Sequence, residues 1–336
     1  MDRVRRIADA VLYEGYILWP YRKSALKNQQ RWTFGGVYPE AYSAGRAGDD
    51  PSVMQTQCLV VGDGEAAIDV RVRFLHVVDR QVLRRGPAGL DPVEELELGA
   101  ERYVSWQEAC ERELGATGLP LAALESPRRV PIHVAAERRD EDLRDAAGRP
   151  AGALARSWRE LQGAVEVGAA PVRPGVFRLT VRITNRSPWP GGTREEALRQ
   201  TFCSTHTVLG APDAEFVSLT DPPDALREAT EACDNVGAWP VLVGEPGERT
   251  TMLSAPIILP DHPEIAPESP GDLFDATEID QMLVLNILSL TDEERREMRD
   301  TDPRAREILE RTEALGEDEL MRLHGAIREF GLVRKR

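Results

Sequence analysis

The chain has 336 residues, 41% of them apolar and 29% charged, and a formal net charge of −15 at pH 7. That length allows one large domain or two ordinary ones, and the composition is that of a globular protein with a core. The acidic balance argues against nucleic acid as a partner, whose affinity rests on neutralised phosphates. No apolar run of roughly 18 residues occurs, so no membrane-spanning helix is expected.

The N-terminal residues lack the apolar core and small-residue cleavage site of an export signal, so a cytoplasmic protein is expected. Residues 5–13 carry a helical pattern, with Ile7, Val11 and Leu12 on one side. An aromatic run follows, and eight of the nineteen aromatic residues fall between positions 13 and 42. Basic and amide side chains are interleaved among them. Tyr and Trp with Arg dominate binding energy at protein interfaces. Tyr16, Trp19, Tyr21, Arg22, Lys27, Arg31 and Trp32 are therefore candidate interface residues. Internal packing is the alternative. Gly35-Gly36 permits a tight turn, but no GK[ST] follows, so it is not a phosphate loop.

Residues 56–61 and 68–78 flank Gly62-Asp63-Gly64 and read as a hairpin. In the second strand Val70, Val72, Phe74 and His76 share one face, while Asp69, Arg71 and Arg73 share the other. His76 is expected to be a hydrogen-bonded residue at the rim. Residues 79–104 read as a polar connection. A helix is predicted over 105–114, with Ser105 as N-cap and Glu108 in capping-box register. Residues 137–156 look like a mobile charged loop. A second hairpin is predicted from 163–172 and 176–185, turning at Arg173-Pro174-Gly175. Strands are expected at 201–209, 215–219, 239–243 and 252–259, with a helix over 222–232 capped by Asp221.

The stretch 266–294 joins two unlike halves. It opens on prolines and carboxylates and becomes apolar from Met282 to Leu290, which predicts a helix over about 276–289 buried on most sides. Thr291 with Glu294 forms a capping box, and Asp302-Pro303 pairs an N-cap with an N1 proline. A last helix is predicted over 317–330. The fold class is α+β, with an antiparallel sandwich-like or barrel-like body and a C-terminal helical segment. The expected division is a β-rich body at 1–262 and an acidic linker with helical tail at 263–336.

Two constellations could carry chemistry. Phe202, Ser204, His206 and Val208 alternate along one strand, which would aim Ser204 and His206 the same way. Their Cα spacing of about 7 Å suits cross-strand hydrogen bonding better than proton transfer. The second is His262, Glu264, Asp272 and Asp275, an alternative site for a hard divalent cation. Capping of a helix N-terminus explains the same carboxylates without a metal. No metal is the primary reading, and no cofactor is expected. The four cysteines contain no CxxC pair and read as buried thiols.

Several blocks together carry a resemblance: YEGYILWPYRKSALKNQQRWTFGGVYP, then FCSTHTVL with EFVSLTDPPDAL, then WPVLVG with MLSAPIILPDHPEIAPESPGDLFDATEIDQMLVLNILSLTDEER. They resemble an uncharacterised family of actinobacteria and related soil bacteria, encoded beside nickel–iron hydrogenases of the high-affinity type. The resemblance covers most of the chain. It implies a non-catalytic accessory protein assisting hydrogenase assembly or maturation through contacts with a hydrogenase subunit or another maturation factor. The chain has neither CxxC pairs nor histidine-rich tracts, which speaks against nickel delivery. The alternative is a metal-dependent or hydrolytic enzyme using His206 or the His262 cluster.

Overall fold

The computed structural model describes residues 2–13, 34–45, 50–99, 101–264 and 287–314. The chain divides into two compact units, Met1–Tyr13 with Trp32–Glu264, and Glu14–Arg31 with Ile265–Arg336.

The first unit begins with helix α1 (Asp2–Tyr13) and the short α2 (Glu40–Ser43). Strands follow as β1 (Val53–Val61), β2 (Ala67–Gly86), β3 (Gly89–Val93), β4 (Glu95–Leu98), β5 (Glu101–Val104) and β6 (Trp106–Pro120). Next come β7 (Arg128–Val134), β8 (Glu137–Arg144), β9 (Pro150–Trp158), β10 (Leu161–Arg173) and β11 (Val176–Asn185). Helix α3 (Arg194–Leu198) precedes β12 (Cys203–Gly210) and β13 (Glu215–Phe216). Helix α4 (Arg227–Glu231) precedes β14 (Trp239–Leu242) and β15 (Thr251–Ala255).

These strands build an antiparallel sandwich. One sheet runs β13-β1-β11-β10-β7; the other runs β14-β15-β12-β2-β9-β8, with β3 and β6 also on β2. The core lies between them. Cys58, Val60, Val165, Val181 and Ile183 from the first sheet meet Ile68, Val70, Val72, Phe74 and Leu209 from the second. Phe74 stacks on Phe202 with ring centroids 4.7 Å apart.

The hairpin predicted at 163–185 is present, as β10 and β11 joined at Arg173 and Val176. The one predicted at 56–78 is not. β1 pairs with β11 and β13, while β2 belongs to the other sheet. Between them, the Asp63 carboxylate accepts from the Glu65 and Ala66 amides and bends the chain from one layer to the other. Alternation describes which face is apolar. It does not say whether two such faces lie edge to edge or face to face.

Three further expectations change for one reason: β2 extends to Gly86 and recruits strands along its whole length. The region 79–104 is ordered as the end of β2 with β3 and the β4–β5 ribbon. The helix predicted at 105–114 is β6, paired to β2 from Ala67 to Arg80. Ser105 caps nothing there. Its hydroxyl accepts from the Val82 amide and donates to the Val93 carbonyl. The charged loop predicted at 137–156 is the β8–β9 hairpin. Its charges are spent on neighbours, as in Arg139–Glu137, Arg138–Asp140 and Arg156–Glu141. Asp221 likewise does not cap; Ser218 accepts from the Thr220 and Asp221 amides, and a 3-10 turn at Asp224–Leu226 leads into α4.

In the second unit, α5 (Asp292–Thr301) and α6 (Pro303–Glu313) follow one another. The Thr291–Glu294 capping box and the Asp302 cap with proline behind it both form as predicted. Arg295 and Arg299 reach Glu313 at 3.2 and 3.4 Å. The helices predicted at 276–289 and 317–330 lie almost wholly outside the described residues. Among the described residues no helix is long and apolar enough to cross a membrane.

The Phe74–Phe202 stack is fully buried, so Phe74→Ala should cost about 3–5 kcal/mol. Arg138→Ala, on the exposed edge strand, should stay within about 0.5 kcal/mol. Urea denaturation of both variants checks this.

Candidate functional site

The outer face of the large sheet carries a cluster of charged side chains around Arg73. On β2 this face presents Asp69, Arg71 and Arg73 in alternate positions, the residues assigned to a plain solvent face by alternation. α1 packs on β12 and β2 and covers part of that face. It buries Ile7, Ala8, Val11 and Leu12. Its spacing gives one apolar stripe, as the sequence pattern implied.

Under this helix Arg73 is nearly sealed, with a side-chain exposure of 7%. Its Nη2 donates to Asp9 of α1 at 2.6 Å and to Glu111 of β6 at 3.3 Å, and Glu113 stands 3.6 Å from its Nε. Tyr13 closes the group by donating its hydroxyl to the other Glu111 oxygen. A guanidinium so enclosed needs its carboxylates, because leaving it buried and unpaired would be costly.

His206 lies opposite Arg73 in the β12–β2 ladder and is fully buried. Its Nδ1 is 3.2 Å from the Ser204 carbonyl. A carbonyl only accepts, so Nδ1 carries the proton and Nε2 is left without a partner among the described residues. Burial, helped by the Arg73 cation, pushes its pKa down to about 4. The predicted sharing of a face by Phe202, Ser204, His206 and Val208 is not observed. A register shift between Cys203 and His206 interrupts the alternation, with Ser204 in the left-handed region at φ 50°. Phe202 points into the sandwich core, and His206 sits beside Arg73 on the other side. The Ser204 main chain meets the imidazole, which is not a nucleophile–base arrangement.

His76 also departs from expectation. It is fully buried, and neither ring nitrogen makes a hydrogen bond within the described residues. Burial, reinforced by the Arg112 cation, pushes its pKa down to about 3. The Arg112 guanidinium lies 5.3 Å from the Trp158 ring centre, and that of Arg139 lies 5.1 Å from it.

At the His262 cluster, Asp261 is spent on structure. It accepts from the Leu242 amide at 2.8 Å and from the Ser218 hydroxyl, while the His262 amide donates to the Leu242 carbonyl at 2.7 Å. His262 and Glu264 are described; Asp272 and Asp275 lie outside the described residues. Among the described residues no three His, Cys, Asp or Glu side chains are grouped to hold a metal. The candidate interface residues Tyr16, Trp19, Tyr21, Arg22, Lys27, Arg31 and Trp32 all lie outside the described residues. Their described neighbours Tyr13, Tyr38 and Tyr42 are buried. Tyr38 stacks on Tyr42 and lies against the Arg194 guanidinium, which pairs with Asp50 at 3.1 Å. No protein-family model matches the chain, and no curated protein matches it.

Both buried histidines are neutral when folded and titrate near 6.5 when unfolded. The unfolded chain therefore binds protons first, and stability must fall as pH drops from about 6.5 toward 4. His206→Asn keeps a donor for the Ser204 carbonyl and removes the titration. Between pH 7.5 and 5 the wild type should lose about 2 kcal/mol more than this variant. Urea melts at the two pH values measure the difference; equal losses would mean His206 takes up its proton in the fold as readily as in the unfolded chain.

Proposed function

We propose that this is a non-catalytic accessory protein that assists assembly or maturation of a nickel–iron hydrogenase, binding a hydrogenase subunit or another maturation factor. The resemblance of the sequence blocks supports the hydrogenase context. The observation that carries the binding reading is the open end of the β14–β15 ladder. Trp239 is paired there with Ala255 and is 45% exposed; Ile258, three residues beyond, is 77% exposed. Val236, just before β14, is 41% exposed. Exposed apolar side chains grouped in this way, with a tryptophan among them, are what interface anchors look like before a partner covers them.

The chemistry of the buried site supports the same reading. Arg73 is saturated by carboxylates, and His206 is sealed and holds a carbonyl. These groups fasten α1 to the sheet, and a cytoplasmic protein acting by contact needs no more from them.

The test is capture of purified hydrogenase subunits by the intact protein, quantified by biolayer interferometry. The double variant Trp239→Ala, Ile258→Asp should weaken binding by at least about tenfold and leave the melting curve in place. Arg22→Glu with Lys27→Glu should slow association at low salt if the aromatic–basic segment shares the contact. Subunits that bind the double variant as they bind wild type, or none that bind at all, would overturn the proposal.

A further inference from the structure

Beside the Arg73 cluster, the outer face of the large sheet opens into a pocket of about 520 Å³ under the first turns of α1. Its origin is legible in the strands. Gly210 of β12 lines it opposite Asp69, so no side chain rises from that position. The space is comparable to pockets that take small molecules.

Six charged residues line it: Arg5, Arg71, Arg73, Asp69, Glu113 and Glu248. Their partners differ. Arg73 is occupied by Asp9, Glu111 and Glu113. Asp69 uses one oxygen to accept from the Gly118 amide, and Glu248 uses one to accept from the Glu245 amide. Arg5 is 80% exposed and reaches Asp9 only at 4.0 Å. Arg71 is exposed and makes no hydrogen bond or ion pair within the described residues. The pocket thus offers a free guanidinium together with carboxylates that each keep an unused oxygen.

A ligand of one sign would meet its own sign on the lining, three cations for a cation and three carboxylates for an anion. A ligand carrying both signs meets neither penalty if its ends are separated. Val4, Ala8 and Val208 supply an apolar wall for a short carbon skeleton. We propose that this pocket binds a small zwitterionic amino compound, a free α-amino acid or a dipeptide. Its carboxylate sits on Arg71 with Arg5 above, and its ammonium lies toward Asp69 and Glu248. This site is independent of the docking surface at Trp239.

The test is a thermal-shift screen of the intact protein with the twenty free amino acids, glycyl-leucine and alanyl-alanine. Hits are followed by titration calorimetry. Controls are the N-acetyl and amide forms of each hit, which carry one charge only, and inorganic phosphate. At least one zwitterion should bind saturably, and its single-charge analogues should bind about tenfold more weakly or worse. Arg71→Gln, at an exposed position that should not disturb folding, should weaken it by a similar factor. Glu248→Gln should do the same for the ammonium end. The proposal fails if no zwitterion binds, or if N-acetyl or amide forms bind equally well. It also fails if phosphate binds better than any amino compound, or if Arg71→Gln leaves affinity unchanged.

Discussion

β2 is the element on which the rest of the sandwich depends. It is 20 residues long, and nearly every backbone N–H and C=O on both of its edges needs a partner. No single strand supplies them. Along one edge β12 pairs from Asp69 to Leu75 and β9 takes over from Asp79 to Arg84. Along the other, β6 runs from Ala67 to Arg80 and β3 continues from Val82 to Gly86. The handover between β12 and β9 falls at residues 76–78, and His76 is there. The backbone of Arg159, just past β9, and of Arg199, just before β12, approaches its ring without hydrogen-bond geometry. An imidazole thus fills the junction where two strands part.

One face of β2 changes character along its length. Ile68, Val70, Val72 and Phe74 lie in the main core. His76 and Arg80 follow, and then Val82 belongs to a second, smaller core with Leu143 and Leu154. Between the two cores Glu108 holds both Arg80 and Arg156, at 2.8 and 2.9 Å. Arg80 is 9% exposed and Glu108 is 14% exposed. Ion pairs so enclosed add little net stability, because desolvation offsets attraction. Their effect here is on register: Arg156 lies directly opposite Arg80, and a slip of one residue would turn it to the other side.

What the sequence displayed and what it hid divide along physical lines. Local chemistry was legible: the Thr291–Glu294 box, the Asp302-Pro303 start and the β10–β11 turn each need only neighbours in the chain. Faces were legible too, since Val70 to Phe74 do face the core. Partnership was not. SWQEACEREL has the capping residues of a helix, Ser105 and Glu108, yet β2 needs a strand along that edge, and the tertiary demand prevails over local preference. ERRDEDLR reads as a loop until its charges are seen beside β9. The Arg73 group was hidden for the same reason. Asp9, Arg73 and the Glu111–Glu113 pair lie far apart in sequence, and the only local sign was a run of alternate charges on a strand whose other face is core.

The edges of the sheets constrain how anything could bind. β14 carries Pro240, and β7 carries Pro131, neither of which has an N–H to offer an added strand. β8 is bordered by charges of both signs, and β13 is only two residues long. These four edges are therefore poorly suited to pairing with another chain through their backbone. At these edges side chains and concave space are what remains for a partner or ligand to meet. Trp239 and Ile258 are exposed side chains at the β14 edge, and the cavity lined by Arg5 and Arg71 is concave space. Neither Trp239 nor the arginines belong to the buried core cluster between the sheets. Residues kept exposed at such places, outside the buried core, are the ones whose identity binding would explain.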